Sequence, residues 1–396
     1  MIALGIESTA HTFSIGIVDE NGKIYSNERV IYKTEKGGIH PREAAELHSR
    51  EAINVLNNSI FKAGFIYKKD EKIEIVDALY EVNRILDGSV IRYHEEPWNR
   101  YRYVLYKNNI KIWVENNKIV SNDKVVEEKI NKELSNIEFT RKIDLISFSA
   151  GPGLYPTLLQ GYFLANLLSN KLNIPKVGVN HLVAHIEIAK MYNNFKDPVV
   201  LLVSGANTMV LAYEGNRYRI FGETLDIGVG NFLDKVGRIF NLGFPAGPKL
   251  EELAKNGKEL IELPYTVKGM DIQLGGLYTY IKKIANKYRL EDIAFSIQEY
   301  VFSMLAEISE RAIAHLNKKE FAVTGGVAVN KRLQEILRKM CEERGVKFGS
   351  VPIDLGNDNG AMIAWTGILW YKNKIKGLDG INPYWRPESI EILKTD

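Results

Sequence analysis

The sequence predicts an α/β protein built on a duplicated unit and interrupted by a small β-rich module, and three observations predict it. Strand and helix patterns alternate between about residues 143 and 190, the order that builds βαβ units. A phrase of strand, small polar loop, strand, turn and strand occurs near residue 3 and again near residue 199. Between 66 and 123 the composition shifts to Lys, Asn, Glu and Tyr. A chain of 396 residues exceeds one ordinary core, and 45% apolar with 26% charged residues reads as globular. The expected division is an N-terminal lobe from 1–65 and 124–195, an inserted module over 66–123, and a C-terminal lobe over 196–396. The final helix is a candidate to pack back on the first lobe.

The elements follow in order. Leu4-Gly5-Ile6 is apolar, Glu7-Ser8-Thr9-Ala10-His11-Thr12 is small and polar, and Phe13-Ser14-Ile15-Gly16-Ile17-Val18 is apolar again. Asp19-Glu20-Asn21-Gly22 is a turn, and Lys23-Ile24-Tyr25 opens a third strand. The second copy runs through apolar residues 199–203, the loop Ser204-Gly205-Ala206-Asn207-Thr208, a strand at 209–212, a turn at 213–216 and a strand at 217–221. Two unrelated hairpins read the same way, so the phrase alone leaves duplication and coincidence both open. Pro41 suits a first helical residue, and a helix runs to about Gly64. A buried-type strand at 143–148 is ended by Gly151-Pro152-Gly153, and a helix at 157–172 and a strand at 176–179 follow. Loop 224–230 opens a helix carrying Asp234, and loop 243–248, with Gly247, precedes one carrying Glu251. A long helix runs from 290 to about 316, and the loop Thr324-Gly325-Gly326-Val327-Ala328-Val329-Asn330 leads from a strand into a helix from about 331 to 344. Within the module, strands near 101–106, 111–114 and 118–120 form a meander with turns at Asn108-Asn109 and Asn116-Asn117. Its Arg and Tyr side chains suit stacking on RNA and equally suit ordinary cross-strand pairs.

The chemistry concentrates in His181-Leu182-Val183-Ala184-His185. Two imidazoles four residues apart on a helix lie one turn apart on one face, a spacing for two ligands of one divalent ion or for simple packing. Leu182 stands where a zinc protease needs its glutamate, so peptidase chemistry loses its main support. Asp358 sits at a helix N-cap position and is also the best-placed late carboxylate to join the histidines. Three loops of Ser, Thr, Gly and Asn carry backbone N–H groups that can face a phosphate, one of them at a helix N-terminus. None has the spacing of a P-loop or a dinucleotide fingerprint, but together they suggest a nucleotide cleft between two lobes. The net charge of +3 neither requires nor excludes a nucleic-acid partner. One cysteine, Cys341, excludes a disulfide framework and a thiolate metal site and fits a reducing cytosol. No signal peptide and no membrane span is expected, so the expected location is cytoplasmic.

Nine stretches in order carry a resemblance. They are Gly5 onward (GIESTAHT), KTEKGGIHPREAAE at 33–46, GPGL at 151–154, NHLVAHIE at 180–187, SGANT at 204–208, ETLDIGVG at 223–230, FPAGP at 244–248, TGGVAVN at 324–330 and DNGAMIA at 358–364. The chain resembles the archaeal and eukaryotic catalytic subunits of tRNA threonylcarbamoyladenosine synthase, the core of the KEOPS complex, once labelled O-sialoglycoprotein endopeptidases. The likeness spans nearly the whole chain except 66–123 and the last twenty or so residues. It implies an actin, Hsp70 and sugar-kinase type of fold with two duplicated α/β lobes. It also implies transfer of threonylcarbamoyl from threonylcarbamoyl-AMP to N6 of the adenosine 3′ of the anticodon in tRNA. By position, His181, His185 and Asp358 would hold one iron or zinc ion. Val203, Ser204, Gly205, Ala206, Asp234, Gly247, Glu251 and Asn330 would hold the adenylate, and Glu7 or a solvent water would act as base. Glu7 can equally cap its own loop. The implied partners are tRNA, a kinase-like ATPase, a small dimerising subunit and a separate threonylcarbamoyl-AMP synthase.

The sequence departs from the family at several places. Leu202 replaces a tyrosine that ligates metal in some members, Ala206 replaces a glycine ahead of Asn207, and Leu159 stands where a basic residue is common. After Asp271, Gln273 and Gly275 stand where the family pattern has serines. A non-catalytic, nucleotide-binding scaffold of the same complex is therefore the second reading. A small-molecule kinase of the same fold is the third and has no use for the paired histidines.

Overall fold

The structure is a computed structural model that describes residues 1–34, 38–63, 65–67, 73–75, 86, 92–95, 102–106, 108, 110–115, 118–134 and 141–392. It opens with β1 (Ile2–Glu7), β2 (Thr12–Asp19), β3 (Ile24–Ile31) and helix α1 (Pro41–Ala63). The inserted region holds β4 (Phe65–Tyr67), β5 (Ile73–Ile75), β6 (Arg92–Glu95), β7 (Arg102–Tyr106), β8 (Ile110–Glu115) and β9 (Lys118–Ser121), then α2 (Lys124–Leu134) and β10 (Arg141–Lys142). Next come β11 (Leu145–Gly151), α3 (Tyr155–Leu172), β12 (Lys176–Asn180) and α4 (His181–Asn193). The second half runs β13 (Val199–Val203), β14 (Thr208–Tyr213), β15 (Tyr218–Glu223), α5 (Val229–Ile239), α6 (Gly247–Ala254), β16 (Val267–Lys268), β17 (Asp271–Ile272), α7 (Gly275–Ile284) and α8 (Leu290–Leu316). It closes with β18 (Glu320–Thr324), α9 (Lys331–Arg344), β19 (Lys347–Ser350), the short α10 (Ile353–Gly356) and α11 (Gly360–Lys372).

Two five-stranded sheets share one topology. The first has the order β12-β11-β1-β2-β3 and the second β19-β18-β13-β14-β15. In each, the first three strands in sequence are antiparallel neighbours, and the last two add in parallel beside the first. Coincident hairpins would not reproduce the parallel half, so the repeated phrase marks a duplication, and the predicted two-lobe α/β fold stands. The meander is also present, as a four-stranded antiparallel sheet β6-β7-β8-β9, one strand more than expected. Asn108 takes the left-handed conformation (φ 59°) that such a turn favours. Asn109, Asn116 and Asn117 lie outside the described residues, as do Glu35, Lys36 and Gly37 of the early motif. The module's Tyr101 is outside them as well, and the side chains of its strand arginines and tyrosines go undescribed.

The first core explains how the last helix reaches the first strands. β1 and β2 are buried along their whole length, because helices cover both faces of the sheet. α11 lies directly on them: a Cβ on Gly5 would fall 2.2 Å from the Ala364 amide nitrogen, and one on Gly16 2.2 Å from that of Ala361. Only glycines permit that approach. The N-terminus of α11 is pinned by Ser14, whose Oγ accepts from the Gly360 N–H at 2.9 Å, and by the Asn27 side chain, which accepts from the Ala361 N–H. Trp370 on this helix fills the core and meets Trp385 edge to face. Among the described residues no helix is long and apolar enough to cross a membrane.

Candidate active site

Each element of the site is set by a local device. β12 ends at Asn180, whose side chain accepts from the Leu182 and Val183 N–H groups and caps α4. Helix α4 is buried on all sides through residues 181–189, so both histidines are held inside the protein. At the far end of the chain the cap of α11 is Asn359, which accepts from the Met362 N–H at 2.9 Å. The expected cap, Asp358, sits one residue earlier and is free of that duty. Its carboxylate turns to the histidines instead. Oδ1 lies 3.3 Å from His185 Nε2 and 3.5 Å from His181 Nε2. One donor atom from each of His181, His185 and Asp358 lies within 4.8 Å of the others.

Glu7 stands behind this trio. Its Oε2 accepts from His181 Nδ1 at 2.9 Å, and its Oε1 accepts from both the N–H (2.7 Å) and hydroxyl (2.5 Å) of Thr9. A carboxylate only accepts, so Nδ1 carries the hydrogen and Nε2 faces the trio. Burial pulls the His181 pKa down, but the Glu7 charge and hydrogen bond, with Asp358, outweigh it and hold the imidazole at about 9. For Asp358, burial works upward. The hydrogen bond from His185 and the charges of His181, His11 and His185 prevail and hold it well below the usual carboxylate range. Burial, with the His181 charge, lowers His185 despite its bond to Asp358. His185 Nδ1 is buried without a hydrogen-bond partner among the described residues.

The trio fits a divalent ion. Separations of 3.3 and 3.5 Å are those of neighbouring ligands around one ion bound at about 2.1 Å, and the donor set of two imidazoles and a carboxylate suits iron or zinc. Leu202, at the family's tyrosine position, is buried in β13 opposite Met209 and Thr324 and offers no ligand. Sequence reasoning passed over Asn180 as a cap and His11 as a neighbour of the trio. His11 Nδ1 lies 3.8 Å from Asp358 Oδ2. Its place in the polar loop after β1 was the available signal.

Two of the three small polar loops, those after β13 and β18, meet each other and the start of α5. Loop 204–207 closes on itself, with the Ser204 N–H donating to the Asn207 carbonyl. It then rests on the start of α5: the Gly230 and Asn231 N–H groups donate to the Ser204 and Gly205 carbonyls. A Cβ on Gly230 would fall 2.7 Å from the Gly205 Cα. The Val203 carbonyl accepts from the Val327 N–H of the third loop. Gly205 and Ala206 are exposed, and the loop's own bonds leave their N–H groups uncommitted. Asp234 accepts from the Ala246 N–H beside Gly247, and burial raises its pKa. Glu251 accepts from the Lys331 N–H, so the N-terminus of α9, read from sequence as an open anion site, already faces a carboxylate of this chain. Asn330 caps that helix through Oδ1 and donates from Nδ2 to Gln298. Asp271 lies at the periphery and accepts from the Glu223 N–H.

Similarity to known proteins agrees with this arrangement. The family TsaD, tRNA N6-adenosine threonylcarbamoyltransferase, matches residues 123–365, a span that contains all three members of the trio and the loops at 204–208 and 324–330. Proteins named tRNA N6-adenosine threonylcarbamoyltransferase from Nanoarchaeum equitans and Thermococcus sibiricus are 44% and 43% identical, covering 98% and 95% of this chain and 99% and 94% of their own. A probable bifunctional tRNA threonylcarbamoyladenosine biosynthesis protein of Methanocaldococcus jannaschii is 41% identical over 99% of this chain and 60% of its own length. Among solved structures, component A of (R)-2-hydroxyglutaryl-CoA dehydratase from Acidaminococcus fermentans covers 93% of this chain and 97% of that one at 14% identity and a TM-score of 0.47, too loose a likeness to add to the topology. The chain belongs to the TsaD family of tRNA N6-adenosine threonylcarbamoyltransferases.

Proposed function

We propose that this chain transfers the threonylcarbamoyl group of threonylcarbamoyl-AMP to N6 of the adenosine 3′ of the anticodon, using one divalent iron or zinc ion. One observation carries the reading: the donors of His181, His185 and Asp358 converge within 4.8 Å in a chain whose relatives are named for this transfer. When bound, the ion supplies Lewis acidity toward the threonylcarbamoyl oxygens. Glu7 fixes the tautomer and direction of His181. It is fully buried with both oxygens committed, so it acts as a positioning residue and solvent water takes the N6 proton. The Gly205 and Ala206 amides face the phosphate and stabilise AMP as the bond from the carbamoyl carbon to the phosphate oxygen breaks. Asp234 and Glu251 each keep one carboxylate oxygen for the ribose hydroxyls. Asn330 retains one donor and one acceptor for the adenosine.

The protein works in the cytoplasm with tRNA, a KEOPS-type kinase-like ATPase, a small dimerising subunit and a separate threonylcarbamoyl-AMP synthase. The bifunctional name of the longer relative supports a companion activity close at hand. The test is transfer of radiolabelled threonylcarbamoyl from threonylcarbamoyl-AMP to an ANN-decoding tRNA, with and without reconstituted partners, beside a His181→Ala control. Label that disappears in the control supports the reading. No label under any condition, with metal and nucleotide still bound, defeats it in favour of the scaffold.

A further inference from the structure

A cavity of about 310 Å³ lies beside the metal-binding helix, and no residue of the proposed transfer uses it. Leu182, directly after His181, forms one wall, and Asn207 and Met209 of the second lobe form another. The rim is the segment 383–387. That segment is fixed firmly. The Trp385 carbonyl accepts from Nδ2 of Asn180, the residue that caps α4. The Trp385 ring is buried against Trp370. The Gly153 N–H donates to the Pro383 carbonyl, and the Tyr384 N–H donates to the Asn382 side chain.

On this rigid backbone the Tyr384 side chain is 88% exposed. So little of it is buried that a folding role does not explain it. Arg386, half-exposed and two residues on, is held over the second lobe by Glu223 at 3.2 Å and also pairs with Glu388 at 3.4 Å. A locked backbone that presents an open aromatic ring and a guanidinium plane at the mouth of a largely apolar cavity is what an unstacked nucleobase requires. A cavity of this size accommodates one base. The Arg386 cation suits the adjoining phosphate, and the first turn of α4 links the rim to the reacting centre.

We propose that Tyr384 and Arg386 form a stacking platform for an unpaired base of the acceptor RNA's anticodon loop, the cavity taking the base and Tyr384 its face. The assignment rests on the proposed use of tRNA but not on catalysis, and its test reads binding alone. Full-length protein is titrated with an anticodon stem-loop RNA of an ANN-decoding tRNA carrying 2-aminopurine in the loop. The fluorescence quench reports stacking and the titration reports affinity. Tyr384→Ala is expected to weaken binding about tenfold and abolish the quench. Tyr384→Phe and Tyr384→Trp should retain both, and Arg386→Gln should weaken binding and flatten its salt dependence. Metal content and adenine-nucleotide affinity serve as the folding control and should match wild type in every variant. Wild-type affinity and quench in Tyr384→Ala overturn the proposal, and so does failure of the wild-type chain to bind the RNA. Tyr384→Ala that binds RNA normally but loses a reconstituted protein subunit also overturns it and makes the rim a protein contact. Tyr384-dependent RNA binding by a chain that transfers no label would defeat the proposed activity and leave the platform standing.

Discussion

The loop after β1 and the loop after β13 occupy the same place in the two copies of the fold, yet they do opposite work. In the first, Glu7, Ser8 and Thr9 are buried, and side chains make the contacts: a carboxylate ties its own loop to His181, 174 residues away. In the second, Gly205 and Ala206 are exposed, and the backbone is what the loop offers. The repeated topology supplies two equivalent strand ends. What covers each end decides its chemistry. The first end is buried, with its carboxylate on α4's His181, while the second leaves Gly205 and Ala206 exposed, as the proposed phosphate site requires.

The most severe way to break the first half is at the trio itself. His181→Ala removes one of the three proposed ligands and leaves Glu7 Oε2 buried without its partner. Bound metal should fall to background by elemental analysis, and threonylcarbamoyl transfer should drop by at least about a hundredfold. Retained transfer would falsify the assignment of the trio as the catalytic centre.

Glu7→Gln sharpens the same half more gently. Shape and packing are kept, but the charge that holds the His181 imidazole at about 9 is gone. Metal affinity should fall by roughly 10- to 100-fold, measured by competition with a chelator, while nucleotide affinity stays unchanged. A variant that binds metal normally but loses transfer would restore Glu7 as the base.

Two glycines separate fold from function in the second half. A Cβ on Gly205 meets only the Asn231 side-chain oxygen at 3.5 Å, an ordinary contact. Gly205→Ala should melt as wild type does and lose adenylate affinity alone. Gly230→Ala places its Cβ against the Gly205 backbone and should cost about 1–3 kcal/mol of stability by overpacking. Equal melting temperatures for the two would mean that the loop is not rigidly seated on α5.

Much of this was legible in the residues and some was not, for a physical reason. Local signals read well. The ends of α8 and α9 were read closely, and the two strand–loop–strand phrases gave the antiparallel half of each sheet. The histidine pair announced its shared face by spacing alone. What escaped depended on distant surfaces meeting. Asp358 looked like a cap because Asp is a good one, and only the structure reveals that Asn359 takes the cap and releases it. The reach of Glu7 to His181 depends on β1, β11 and β12 lying side by side, and the seat of α11 depends on close approach at Gly5 and Gly16. A glycine in a strand signals such an approach without saying to what. Leu202, where some members have a ligating tyrosine, is buried in β13.

His48 offers the smallest and most selective test of the difference between the halves. It lies on α1 of the first lobe, fully buried against Phe13. Burial lowers its pKa from 6.5 to about 4, with the nearby His11 charge adding to the effect. The sign follows from which state binds the proton. Below pH 6.5 the unfolded chain takes up a proton that the folded chain refuses, so the stabilisation is complete above 6.5 and lost as pH falls towards 4. At pH 5 the loss is about 2 kcal/mol relative to pH 8, a melting shift of a few degrees in a chain this size. His48→Leu should flatten the acid limb of the melting curve between pH 7 and 5, whatever it does to stability at pH 8. An acid limb that survives the substitution unchanged would place the sensitive group elsewhere, most directly among the coupled residues of the trio.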